Sequence, residues 1–135
     1  MSIALFCGKF QPPHLGHLQT IMSIYDEYDK IIVGITEGPP RIMTKEQVYD
    51  EFYKVTKYLP KIELYMIKNT LDDESAIPYL PKDWNVILTG NPYVIDLARR
   101  KGWKYRYVPR SEGLGYSGTE LRKLYEMEVD SNKRH

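Results

Sequence analysis

The chain has 135 residues, enough for one domain and for a core that hides roughly two thirds of the unfolded surface. Nineteen Lys and Arg against 18 Asp and Glu leave a net charge of +1, and 42% of residues are hydrophobic. Disorder and a general polyanion-binding surface are both disfavoured, so no nucleic-acid partner is expected. The single cysteine, Cys7, has no internal disulfide partner, and no apolar run approaches the roughly 20 residues of a membrane span. Residues 3–7, followed closely by Pro12 and Pro13, are too short for the apolar core of a signal peptide, which predicts a cytoplasmic protein with no membrane partner.

In chain order, residues 3–7 read as a first strand. Leu15, Leu18, Ile21, Met22 and Tyr25 then follow a three-and-four spacing that predicts a helix with one apolar side. Residues 31–35 form a second strand. Thr44 and Gln47 make a capping box ahead of a stripe at Val48, Phe52, Val55 and Leu59. Residues 62–67 and 86–89 are further strands. Asn91 before Pro92 predicts a helix start, Leu97 and Ala98 its buried face, and Gly102 its stop. A fifth strand at 105–108 precedes a last helix opening at Ser117, with Glu120 reaching back to the cap and Leu121, Leu124 and Tyr125 inside. Residues 129–135 read as a frayed tail.

Strands alternating with helices predict right-handed crossovers and a doubly wound, mostly parallel five-stranded sheet in a single domain. Ligands of such sheets sit at the carboxyl ends of the strands, where strand order reverses. Function is therefore expected after strands one, four and five.

After strand one the chain reads Gly8 Lys9 Phe10 Gln11 Pro12 Pro13 His14 Leu15 Gly16 His17. His14 and His17, three apart, share one side of a first helical turn, where free amides already favour an anion. Gly8 would permit a tight turn, and Gly16 would let a ligand approach the backbone between the imidazoles. Two imidazoles and Lys9 are suitable donors for the charge that gathers on a phosphoryl centre under attack. For two histidines taken at random, local capping is the commoner role. Zinc would require further ligands, and Cys7 is the only thiol. After strand five, Ser117, Gly118, Thr119 and Arg122 combine hydroxyls, a close main-chain approach and a guanidinium, which together suit phosphate. A bare capping box with a surface arginine is the bland reading of the same residues.

These two segments resemble the paired signatures of the HxGH nucleotidyltransferase superfamily, HxGH near the front and YSGTxxR near the back. Thr89 Gly90 Asn91 Pro92 Tyr93 Val94, with Gly102, Trp103 and Pro109, is similar to the segment that archaeal-type nicotinamide mononucleotide adenylyltransferases carry before the second signature. The resemblance implies a Rossmann-like domain over residues 1–128. It also implies adenylyl transfer from ATP, with Mg2+, to a small phosphorylated metabolite such as nicotinamide mononucleotide, with release of pyrophosphate. On that resemblance, His14 contacts the triphosphate, His17 stabilises the α-phosphate and Lys9 adds charge. Gly8, Phe10, Gly16, Ser117, Gly118, Thr119 and Arg122 line the nucleotide site. Cytidylyl transfer, pantetheine-phosphate adenylylation and a non-catalytic nucleotide sensor are the alternatives. Adenylyl transfer is preferred because the cytidylyl branch typically reads GTFDxxHxGH, where this chain has Lys9 Phe10 Gln11 Pro12.

The chain departs from the archaeal pattern on the acceptor side. It has Met43 Thr44 Lys45 Glu46 Gln47 where relatives carry a stretch ending in arginine, and it lacks the tryptophan expected ahead of strand four. The candidate acceptor pocket combines the 34–40 loop, the 69–79 segment and the helix start at 91. Tyr79, Tyr93 and Trp84 are its candidate stacking rings, and Asn91 its candidate polar contact. A homo-oligomer is compatible with the near-neutral surface.

Overall fold

A computed structural model describes residues 1–10, 15–37, 42–71 and 73–108. The expected last helix, the second signature and the 129–135 tail lie outside the described residues, as do Gln11 to His14. Along the described chain the elements are β1 (Ile3–Gly8), α1 (Leu15–Ile24), β2 (Lys30–Ile35), α2 (Lys45–Thr56), β3 (Ile62–Met66), β4 (Val86–Thr89), α3 (Pro92–Lys101) and β5 (Tyr105–Tyr107). The five strands pair in parallel in the order β3-β2-β1-β4-β5. This is the Rossmann-like α/β arrangement, with its reversal of strand order between β1 and β4.

Strand alternation builds two cores, one on each face of the sheet. Ala4, Phe6, Ile31, Val33, Ile35, Val86 and Leu88 pack with Ile21 and Ile24 of α1 and Val48 and Phe52 of α2. Ile3, Leu5, Ile32 and Ile87 face the other way, onto Val94, Leu97 and Ala98 of α3 and onto Leu71 and Ala76. Each central strand is apolar on both faces, which is what burial between two helical layers requires.

Local signals set the helix ends. The Thr44 Oγ1 accepts from the Gln47 amide at 3.1 Å while Gln47 Oε1 accepts from the Thr44 amide at 2.8 Å, closing the capping box. Asn91 Oδ1 accepts from the Tyr93 amide at 3.0 Å to start α3, and Gly102, at φ +70°, ends it in the left-handed region. Two buried stripes differ from expectation. Val55 is exposed and Thr56 takes its inward place, because its hydroxyl donates to the Phe52 carbonyl at 2.7 Å and so needs no water. In α1, Met22 is exposed and Ile24 is buried.

Gly34, paired with Cys7 across β1 and β2, leaves room for other side chains: a Cβ there would stand 2.6 Å from Ile67 Cδ1 and 3.0 Å from Cys7 Sγ. Gly34→Ala is expected to cost about 1–3 kcal/mol by overpacking, read as a lowered denaturation midpoint at unchanged slope. No helix among the described residues is long and apolar enough to cross a membrane.

Candidate nucleotide-binding site

The carboxyl ends of β1 and β4 meet at the reversal point, and hydrogen bonds fix the backbone around them. Beyond β2, the Thr36 amide donates to the Gly8 carbonyl at 2.9 Å. Beyond β4, the buried Thr89 Oγ1 accepts from the Asn91 amide at 3.0 Å, which fixes how the chain turns into α3.

Beyond β1 the turn comes at Phe10, whose φ of +52° is unusual for a residue with a large side chain. Such a conformation costs on the order of 1–3 kcal/mol, and burial of the ring offsets it. The Phe10 ring is 5% exposed and lies 4.7 Å from Phe52 and 4.8 Å from the His17 imidazole, both edge-on, with Phe6 at 5.8 Å. Gly8 is needed for this ring and not for a turn of its own, since a Cβ at Gly8 would stand 2.9 Å from two Phe10 ring carbons. Gly8→Ala should therefore displace Phe10 and destabilise the fold by about 1–3 kcal/mol, with turnover falling as well; thermal melting and a kinetic assay check both.

His17 is the third residue of α1, half-buried, and has aromatic neighbours from two elements: Phe10 beyond β1 and Phe52 of α2 at 6.4 Å. Its helix starts at the sheet's carboxyl edge, where unpaired amides and the helix dipole favour an anion. Gly16, just before it, is buried and its carbonyl accepts from Thr20 Oγ1 at 3.0 Å. Lys9, half-buried, lies between Gly8 and Phe10 at the same edge. Gly8, Lys9, Phe10, Gly16 and His17 are thus brought to one place. His14, Ser117, Gly118, Thr119 and Arg122 lie outside the described residues.

Beneath this edge, burial pushes the Cys7 thiol from an ordinary 9.0 up to about 12. A raised value means the folded state prefers the neutral thiol. Its contribution to stability is complete below the unfolded value near 9 and fades as pH rises toward 12. At pH 8, alkylation of Cys7 is expected to be far slower in the native protein than in denaturant, as mass spectrometry after iodoacetamide treatment would show.

On the acceptor side the candidate residues separate. Asn91 caps α3. Tyr93 is exposed in the first turn of that helix, at the correct end of the sheet. Tyr79 is exposed in a 3-10 turn at Ile77–Tyr79, with the Lys68 Nζ 5.5 Å from its ring centroid. Trp84 is not brought to this edge. It precedes β4 and packs edge-on against Trp103 at 5.2 Å in the second core, next to the Ile3 carbonyl that binds Asn85 at the amino ends of the strands. Both rings there complete the core under α3, which is where an apolar surface of that size is best buried.

The sequence reading did not single out Glu37. Its amide donates to the Asn69 carbonyl and its Oε2 accepts from the Asn69 amide, both at 2.9 Å, while Oε1 pairs with Lys45 Nζ at 2.7 Å. One carboxylate thereby joins the ends of β2 and β3 to the start of α2. Nothing in the sequence marks this link, since its three members lie in separate segments.

Residues 5–55 match the cytidylyltransferase-like family model, a span that includes the second half of β1, the Phe10 turn and His17. The nicotinamide-nucleotide adenylyltransferase 1 of Sulfolobus acidocaldarius is 31% identical over 136 residues, covering 90% of this chain and 76% of that protein. The nicotinamide-nucleotide adenylyltransferase of Methanococcus aeolicus is 30% identical, covering 89% and 75%. Among solved structures, a bifunctional NMN adenylyltransferase/ADP ribose pyrophosphatase from Francisella tularensis superposes with a TM-score of 0.69 at 21% identity, over 92% of this chain. This chain spans only 42% of that bifunctional protein, so the likeness speaks for the fold alone. The archaeal relatives match about nine tenths of this chain over about three quarters of their own length, and with them this chain belongs to the nicotinamide-nucleotide adenylyltransferase family.

Proposed function

We propose that this chain transfers the adenylyl group of ATP to the phosphate of nicotinamide mononucleotide or a close analogue. An oxygen of the acceptor phosphate attacks the α-phosphorus, the bond from that phosphorus to the β-phosphate oxygen breaks, and pyrophosphate leaves. The observation that carries the reading is the His17 imidazole, held by two phenylalanines at the start of α1 where β1 and β4 diverge.

The chain's contribution is positioning and charge. His17 and Lys9 donate to oxygens whose negative charge grows during attack, and donors already fixed in place need no rearrangement. His14, Ser117, Gly118, Thr119 and Arg122 are assigned to the rest of the triphosphate by their match to the family signatures. Magnesium enters with ATP as part of the substrate and neutralises the departing pyrophosphate. A cytoplasmic setting accords with an ATP substrate and with a free thiol at Cys7.

Pyrophosphate release from MgATP, measured across a panel of phosphorylated acceptors, is the test. Release with nicotinamide mononucleotide is expected, and a folded protein silent with every acceptor would refute the reading. Stabilisation by MgATP without release would identify a nucleotide-sensing domain instead. Binding at 100-fold over Kd should raise stability by about 2.7 kcal/mol, a shift visible in melting. Competition by CTP at least equal to ATP would move the reading to cytidylyl transfer.

A further inference from the structure

The ladder between β2 and β3 closes with the Ile67 amide on the Ile35 carbonyl at 2.8 Å, yet the two chains stay joined beyond it through Glu37. Glu37 and Asn69 exchange two bonds, amide to carbonyl one way and amide to carboxylate the other. Asn69 sits at φ +70°, a region asparagine tolerates better than most residues, and its Nδ2 donates to the Ser75 carbonyl at 3.3 Å. The other carboxylate oxygen of Glu37 holds Lys45, the first residue of α2. An ammonium at that position faces the positive end of the helix dipole, and the carboxylate offsets the repulsion.

Two routes lead from this carboxylate to His17. The residue before it, Thr36, donates its amide to the Gly8 carbonyl at 2.9 Å, and Gly8 begins the turn that carries Lys9 and Phe10. The carboxyl ends of β1 and β2 are one strand spacing apart, about 4.8 Å, so a shift at Glu37 reaches that turn through a single hydrogen bond. By the other route Lys45 fixes the start of α2, and Phe52 stands about two turns along the same helix. Phe10 and Phe52 are the two rings beside the imidazole. With the side chains 22% and 30% exposed, the Lys45–Glu37 pair is a weak source of stability, because desolvation offsets much of the attraction. What it supplies is a fixed direction. We propose that Glu37 is a positioning residue for the adenylyl transfer, holding the Phe10 turn and α2 in the relation that aims His17 at the reacting phosphate. The proposal rests on the reaction given above and adds to it a residue that acts through others.

Glu37→Ala, Glu37→Gln and Lys45→Met, each in the full chain, test it by kinetics and by nuclear magnetic resonance. Glu37→Ala should lower kcat on the order of tenfold with MgATP and nicotinamide mononucleotide while KM for either changes by less than about twofold, since a slightly displaced donor loses rate before it loses substrate. Gln keeps an oxygen for the Asn69 amide but cannot neutralise Lys45, and Lys45→Met removes the other half of the link. Each should retain more of the rate than Glu37→Ala. The resonance measurement needs no turnover. Through-space contacts between the His17 and Phe10 rings, 4.8 Å apart in the native chain, should weaken in Glu37→Ala, and the Thr36 amide should exchange with solvent faster along with that of Asn69. Glu37→Gln carries both readouts if the Ala variant does not fold. A lowered melting temperature with kcat unchanged, or ring contacts and Thr36 exchange equal to those of the native chain, would overturn the proposal. A folded native chain that releases no pyrophosphate, with rings that still shift on loss of Glu37, would sustain the link from Glu37 to His17 and remove the adenylyl-transfer reading.

Discussion

His17→Ala is expected to lower kcat by about a hundredfold or more while leaving the fold intact. The imidazole is half-buried beside Phe10 and Phe52, so truncation removes part of a packed cluster as well as the donor. His17→Gln and His17→Phe separate these effects. Gln retains a donor near the same place and should recover part of the rate. Phe restores aromatic packing and should recover stability with none of the rate. The loss should appear in kcat and in kcat/KM alike if the bond to phosphate strengthens only as charge develops. A KM increase with unchanged kcat would instead assign His17 to ground-state binding, and near-normal turnover would remove it from the chemistry.

Much of the fold was legible because its determinants are local. The capping box at Thr44 and Gln47, the Asn91-Pro92 start and the Gly102 stop each involve neighbours within four residues, and all form as read. The strands were legible because four to six apolar, branched residues between turn signals have few other uses. The inward choice between Val55 and Thr56 was not, since both positions satisfy a three-or-four spacing and a buried hydroxyl bonded to Phe52 decides it. Trp84 illustrates a reading the parallel order could have corrected: a residue just before β4 sits at the amino end of the sheet, away from the ligand edge. The Phe10 turn had no sequence signal, because a positive φ at phenylalanine depends on a pocket built by β1, α1 and α2 together.

Phe52 connects the core to the chemistry, and its replacement should reveal both roles. The ring is 2% exposed, and Phe52→Ala is expected to cost about 3–5 kcal/mol through lost burial and the remaining cavity. Against a total stability of roughly 5–15 kcal/mol that loss approaches unfolding, so the kinetic question requires the milder Phe52→Leu. Leucine fills much of the space but cannot meet the edge of Phe10 at 4.7 Å or face the imidazole at 6.4 Å. Turnover by Phe52→Leu should fall on the order of tenfold with little change in KM, because a small misplacement of a fixed donor is amplified in the rate. The decisive measurement is the double variant. In a His17→Ala background, Phe52→Leu should lower kcat no further, since a residue that acts by orienting the imidazole has nothing left to orient. A fall of equal size in both backgrounds would show that Phe52 supports the site only by holding up the core, and that the contact between the phenylalanines and His17 is packing without catalytic consequence.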